Sequence, residues 1–219
     1  MLRMLVLGGD RAFGMVKHKN MVIDQVNLLT NLRIEKHRGR NFLILNKNYS
    51  SFEYDAFFIN GYFEADALRM LYLLESEKIW FNQPFFVFSA LDSYKQLLYS
   101  VKSKFSTSVD FSLKKDSRPT LSYEDIPGKT SQVVVFGGKA FILSNHGHVL
   151  LPRLSQKCKS FVRSMGLGFG TVSLIWPNSS KEIFFQEFSP YIPFSELQNF
   201  HVSTILNTVE DKLLRVRTL

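Results

Sequence analysis

Glu187 lies in the stretch KEIFFQEFSP, Lys181 to Pro190, where strand alternation places its carboxylate on the same face as Ile183 and Phe185. A carboxylate among apolar side chains calls for a metal ion, a cationic partner or a strand end open to water. Other stretches also carry chemistry-bearing residues. GGDRAFGMV (8–16) has the two glycines of a phosphate-cradling loop, but such a loop needs Lys and then Ser or Thr after the second glycine. Met15 and Val16 stand there, so the charge that would grip a phosphate is missing and the segment reads as a glycine-rich turn. NHGH (145–148) puts His146 and His148 on one face if extended, yet zinc needs three or four protein ligands. The lone cysteine, Cys158, shares a helical stripe with Leu154 and Val162, so the two histidines read as a solvated loop pair. No Ser/His/Asp set is singled out by spacing.

The elements that must position these residues fall into two halves. Met1–Leu7, Met21–Leu29 and Leu32–Asn46 read as strands, the last broken by a turn at HRGR (37–40). YDAFFIN (54–60) is a short buried strand. Glu64 and Asp66 then open a helix that buries Leu68, Leu71 and Leu74. KIWFNQP (78–84) is the next strand. A helix from about Ser89 follows, with Leu91, Tyr94, Leu98, Val101 and Phe105 forming its predicted buried stripe. This alternation predicts an α/β first half with parallel strands. Residues 106–131 are polar and rich in Ser and Thr, the best candidate for a linker. SQVVVFGGKAFIL (131–143) predicts a hairpin turning at Gly137-Gly138. A helix carrying Leu151, Leu154, Cys158, Val162 and Met165 follows, with Pro152 in its first turn and Gly166 ending it. FGTVSLIW and KEIFFQEF pair antiparallel, and a last helix over about 203–216 buries Val202, Ile205, Leu206, Val209 and Leu213. The second half is therefore α+β.

The chain has 219 residues and a formal net charge of +8. Residues 1–53 hold nine Lys/Arg against four acids, so the excess is concentrated there. That charge suits an anionic partner such as an acidic peptide, phosphates or nucleic acid, or equally a solvated basic face. Arg33, Lys36, Arg38 and Arg40 are the candidate partner-binding residues. No apolar run is long enough to span a bilayer. A single cysteine cannot form an internal disulfide, which favours a reducing cytoplasm.

The order strand, helix, KIWFNQP, helix containing Tyr94-Lys95, VVVFGGKAF, a helix ending MGLGFGTVSLIW, then EIFFQEFSP resembles the ATP-grasp superfamily. It is most similar to the microviridin-type ligases that crosslink ribosomally made peptides. The resemblance covers about residues 54–110 and 131–217. Such enzymes activate a carboxylate as an acyl phosphate, which an amine or hydroxyl attacks. They hold the triphosphate between two lobes by basic side chains and by Mg²⁺ on a short acidic set. The resemblance implies that Glu187 is the metal-binding Glu and Lys95 the nucleotide-side lysine. Three family positions depart from the pattern. The other acid falls at Ser173, the asparagine after the Glu at Ser189, and the arginine at the start of the hairpin at Gln132. Residues 106–130 are also too few for the subdomain that covers the adenine.

The resulting expectation is an ATP-grasp-like fold: a pre-grasp α/β lobe (1–105), a linker (106–130) and a C-terminal antiparallel-sheet lobe with helices (131–219), one grasp subdomain being largely missing. Its function is expected to be that of a catalytically degenerate binding or partner protein in peptide modification. No cofactor is expected for the isolated chain, and the partners are an acidic peptide or a companion ATP-grasp enzyme. A homo-oligomer is also compatible. One alternative is a minimal ATP-dependent carboxylate–amine or carboxylate–alcohol ligase, with Lys95, Lys139 and Glu187 holding Mg-ATP. The other is a basic nucleic-acid-binding module, disfavoured by the sparse aromatics of the basic region.

Overall fold

The computed structural model describes residues 1–9, 18–26, 33–37, 40–45, 49–61, 63–72, 78–107, 109–112, 120–123, 126–143, 150–178 and 182–217. Strands β1 (Leu2–Gly8) and β2 (Met21–Val26) open a parallel sheet. β3 (Arg33–His37), β4 (Arg40–Leu45) and β5 (Tyr49–Ser50) form a separate antiparallel sheet. The break expected at HRGR falls between β3 and β4. The parallel sheet is completed by β6 (Ala56–Asn60) and β7 (Ile79–Phe81) in the order β2-β1-β6-β7. Parallel strands covered on both faces read as continuous apolar runs, which is why LVL and AFFI carry no polar alternation.

Helix α1 (Ala65–Tyr72) buries Leu68 and Leu71 as expected; Leu74 lies outside the described residues. The single helix expected from about Ser89 is two: α2 (Pro84–Ala90), with Pro84 in its first turn, and α3 (Ser93–Lys102). They are separate because the Asp92 side chain caps α3, accepting from the Tyr94 and Lys95 amides. Of the expected buried stripe, Phe105 is buried and Leu91 packs against the core, but the three residues within α3 face outward. Tyr94, Leu98 and Val101 are 39%, 52% and 55% exposed, while Gln96 and Ser100 face inward. Helical periodicity located the stripe, but hydrogen bonding decided which face turns in. Gln96 grips a strand edge, as described below.

Within the stretch expected as a linker, β8 (Val109–Ser112) pairs with β9 (Thr120–Tyr123). The second large sheet has the order β11-β10-β12-β13, all antiparallel: β10 (Gly128–Phe136), β11 (Lys139–Ile142), β12 (Phe169–Pro177) and β13 (Phe184–Ser189). Gly137 and Gly138 take φ of 54° and 80°, the paired left-handed conformation that a tight hairpin demands. Helix α4 (Pro152–Ser164) stops at Gly166, φ 78°, and buries Leu154, Cys158, Phe161 and Val162. Helix α5 (Asn199–Arg217) buries all five residues assigned to the last helix.

Two aromatic-rich cores join the halves. One packs Leu5, Leu7, Phe57 and Ile59 with Val133, Phe161, Val172, Leu174, Phe185 and Phe188. The other packs Met4, Val6 and Phe58 with Val134, Phe136, Phe169 and the buried face of α5. Alternate residues of β1, β6, β10 and β12 therefore feed opposite cores.

Three buried amides lock this junction. Asn60, at the end of β6, donates to Ile192 O (3.1 Å) and accepts from Ile192 N (2.7 Å). Asn82, after β7, donates to Phe169 O (3.0 Å) and accepts from Gly168 N (2.8 Å) and Phe169 N (3.2 Å). Gln96 donates to Ala90 O (2.8 Å) and Phe188 O (3.0 Å), and accepts from Phe188 N (3.0 Å). β13 is an edge strand, so these Phe188 groups have no next strand to pair with, and the Gln96 amide takes that place.

Candidate functional site

A β-bulge decides where Glu187 points. Leu174 pairs with Phe185, but the next residue back, Ser173, pairs with Glu187, so Gln186 is the extra residue on β13. Simple alternation would put Glu187 with Phe185. The bulge instead turns it to the opposite face, where its side chain is exposed, while Phe185 and Phe188 both enter the core. The expected crowding of this carboxylate by Ile183 and Phe185 is thus corrected. Glu187 makes no ion pair with a described residue, and exposure removes the need for one.

The same register assembles a row. Gln132 on β10 pairs with Ser173 on β12, which pairs with Glu187 on β13, so the three project from one face of three adjacent strands. Ser189 pairs with Thr171 in the neighbouring row, and its Oγ is buried without a partner among the described residues. Ser173 is buried and Gln132 half-buried. These are the positions that the sequence resemblance assigns to the anion-gripping and metal-binding groups, and only one ionises. Mg²⁺ is held by carboxylates together with phosphate oxygens and water. One exposed carboxylate beside buried hydroxyls does not reproduce the paired-acid set, and no group of three His, Cys, Asp or Glu among the described residues could hold a metal.

The candidate lysines lie to either side. Lys95 sits in the first turn of α3, exposed, its Nζ donating to Ser89 Oγ at 2.7 Å. The adjacent Gln96 holds the Phe188 backbone, so Lys95 and Glu187 are each next in sequence to one residue of this hydrogen-bonded clamp. Lys139 begins β11, opposite Phe136 and exposed. Three strands and four residues separate its register position from that of Glu187, a Cα separation of about 20 Å from standard strand spacings. Lys139 and Glu187 therefore belong to different ends of the sheet. Arg33 and Lys36 lie on β3 and Arg40 on β4; Arg38 lies outside the described residues, as do His146, His148 and residues 10–16 of the glycine-rich segment. Cys158 is fully buried, and burial pushes its thiol up to about 12, which leaves it inert as a nucleophile.

A cavity of about 250 Å³ lies away from this row, between the end of β7, the β10–β11 turn, the start of β12 and α5. Sequence reasoning passed over it, and over Asn60, Asn82 and Gln96. The available signal for the two asparagines was a polar residue directly after an apolar strand, in FFIN and WFN.

In overall fold the chain is similar to the macrocyclase MdnB from Microcystis aeruginosa MRC, with a TM-score of 0.68 at 16% identity, over 96% of this chain and 98% of that one. A RiPP-associated ATP-grasp ligase from Chryseobacterium gregarium, in complex with ADP and a leader and core peptide, gives 0.63 at 11% identity over 91% and 92%. The macrocyclase MdnC from Microcystis aeruginosa MRC, bound with precursor peptide MdnA, gives 0.62 at 9% over 89% and 97%. The fold is that of the RiPP-modifying ATP-grasp ligases. No family model and no curated protein matches the chain. The expected architecture is therefore found: a parallel sheet with helices, then an antiparallel sheet with helices, in the fold of these ATP-grasp ligases. No described helix is long and apolar enough to cross a membrane.

Proposed function

We propose that this chain is a catalytically degenerate ATP-grasp-like protein that binds a peptide substrate, or an active ligase, in the modification of a ribosomally made peptide. The observation that carries this reading is the Gln132–Ser173–Glu187 row. Phosphoryl transfer depends on cations and metal ions placed to stabilise developing charge. A row with one carboxylate and two neutral side chains provides little of that. Solved structures of similar fold contain ADP and leader, core or precursor peptides, which supports a peptide as the ligand class. In this reading 1–105 and 131–219 are the two functional lobes. Arg33, Lys36, Arg38 and Arg40 steer an acidic peptide segment to the first.

The deciding experiment is calorimetry of the full chain with Mg-ATP. The degenerate reading expects no binding, or binding far weaker than a working nucleotide site. Low-micromolar binding abolished by Glu187→Gln would establish the second reading, a minimal ligase in which Lys95, Lys139 and Glu187 hold Mg-ATP. That reading is favoured by Lys95 and Glu187 each being next in sequence to a residue of the Gln96–Phe188 clamp, which ties their two elements together. For the peptide, affinity should fall steeply with salt, because exposed charges are screened over about 8 Å at physiological ionic strength. Reversing the four basic residues together should slow association more than it speeds dissociation. A nucleic acid of equal charge that binds more tightly than the acidic peptide would point instead to a nucleic-acid module.

A further inference from the structure

Lys212 on α5 stands at the mouth of the 250 Å³ cavity, its Nζ 4.7 Å from the centroid of the Phe81 ring. Phe81, Phe136 and Phe169 line the cavity, and their side chains belong to the buried core on the α5 side. The only hydrogen bond Lys212 makes to a described residue is a long donation to Trp80 O, 3.4 Å. The residue as a whole is exposed, yet its ammonium end is surrounded closely enough that burial lowers its pKa.

No described acid competes for it. The Glu210 carboxylate, two residues earlier, is taken by Asn20 (2.6 Å) and His18 (3.5 Å). Asp211 makes no ion pair with Lys212. The cavity therefore combines an accessible cation, a lining that includes Phe81, Phe136 and Phe169, and no acid among the described residues paired with that cation.

We propose that this cavity binds a small monoanion with an apolar body, an aryl or alkyl carboxylate, whose acid group pairs with Lys212 while its body lies against Phe81, Phe136 and Phe169.

The backbone argues for a carboxylate over a phosphate. Phosphate sites take several amide N–H groups or more than one cation. Here four of the lining amides are already committed: Gly137 N to Gly168 O, Gly166 N to Arg163 O, and both Gly168 N and Phe169 N to Asn82 Oδ1. A single lysine balances one negative charge, and a dianion would be left with charge facing aromatic carbon. The cavity is somewhat below the size of drug-binding pockets and suits a ring with a short acid arm. It is lined by none of Lys95, Lys139, Gln132, Ser173 or Glu187, so the proposal stands whether or not the chain binds nucleotide.

The test uses the full chain, titrated with phenylacetate, phenylacetamide and phenyl phosphate and followed by amide NMR shifts. Saturable binding of phenylacetate is expected, with the largest shifts at Phe81, Asn82, Gly137 and Gly168. The uncharged amide should bind about tenfold more weakly, the worth of one charge-assisted contact of about 1.4 kcal/mol. Lys212→Met should lower phenylacetate affinity by a similar factor, and Lys212→Arg should restore most of it. The proposal is overturned if phenylacetate does not saturate, if the amide binds equally well, if phenyl phosphate binds more tightly, or if a folded Lys212→Met chain binds phenylacetate as the parent does. Should Lys212→Met fail to fold, the acid–amide comparison on the parent chain decides alone.

Discussion

Replacing Gln96 with leucine keeps the approximate bulk of the side chain and removes an amide that makes three hydrogen bonds. The Phe188 N–H and C=O are left at the open edge of β13, and Ala90 O loses its donor. A hydrogen bond contributes about 1 kcal/mol net, and a buried group left unpaired costs about 1–3 kcal/mol. Some of these groups will gain water at the strand edge, so the expected loss is about 2–4 kcal/mol. That is a large share of the roughly 5–15 kcal/mol that holds a domain together. At about 2–4 °C per kcal/mol for a chain of this size, the melting temperature should fall by about 5–15 °C. Urea unfolding should show the same loss as a shifted midpoint at unchanged slope. Gln96→Glu is the informative partner. It can still accept from Phe188 N, but sets a carboxylate oxygen against Phe188 O and Ala90 O, and should cost at least as much as the leucine. Amide exchange at Phe188 should accelerate in both. A Gln96→Leu chain within about 0.5 kcal/mol of the parent, the range of an ordinary surface change, would refute the claim that this amide completes the sheet edge.

Gly166→Ala should destabilise by about 1–3 kcal/mol, because φ is +78° and the new Cβ would lie 2.4 Å from the Phe86 ring; thermal unfolding measures this. Leu98→Gln should change stability by no more than about 0.5 kcal/mol, because Leu98 is 52% exposed; a loss of about 2 kcal/mol or more in a denaturant titration would restore the buried stripe read from periodicity. Cys158 should resist aromatic disulfide reagents at neutral pH in the folded chain and react fully in denaturant, because it is buried with its thiol pushed up to about 12. Rapid labelling of the folded protein would contradict that burial.

The local sequence was sufficient for most elements. Apolar runs marked β1 as a strand and β6 as a buried one, strand–helix alternation marked parallel pairing, Gly137-Gly138 marked the hairpin, and Pro152 and Gly166 bracketed α4. The spacing of Val202, Ile205, Leu206, Val209 and Leu213 identified the inward face of α5 because no polar group competed for that face. These features depend on neighbours a few residues apart, so the chain carries them without reference to the rest of the fold. Where a distant partner intervenes, the pattern misleads. The apolar stripe of α3 faces out because Gln96, on the other side, satisfies the edge of a strand 92 residues away. Glu187 leaves the face of Phe185 because the pairing of β13 with β12 admits one extra residue, and a bulge changes the face without any mark in the alternation itself. The alignment of Gln132, Ser173 and Glu187, and the meeting of Lys212 with the Phe81 ring, likewise depend on strand register and helix docking. Register and docking are set by the summed packing and hydrogen bonding of residues far apart in the chain, which no short window of sequence contains.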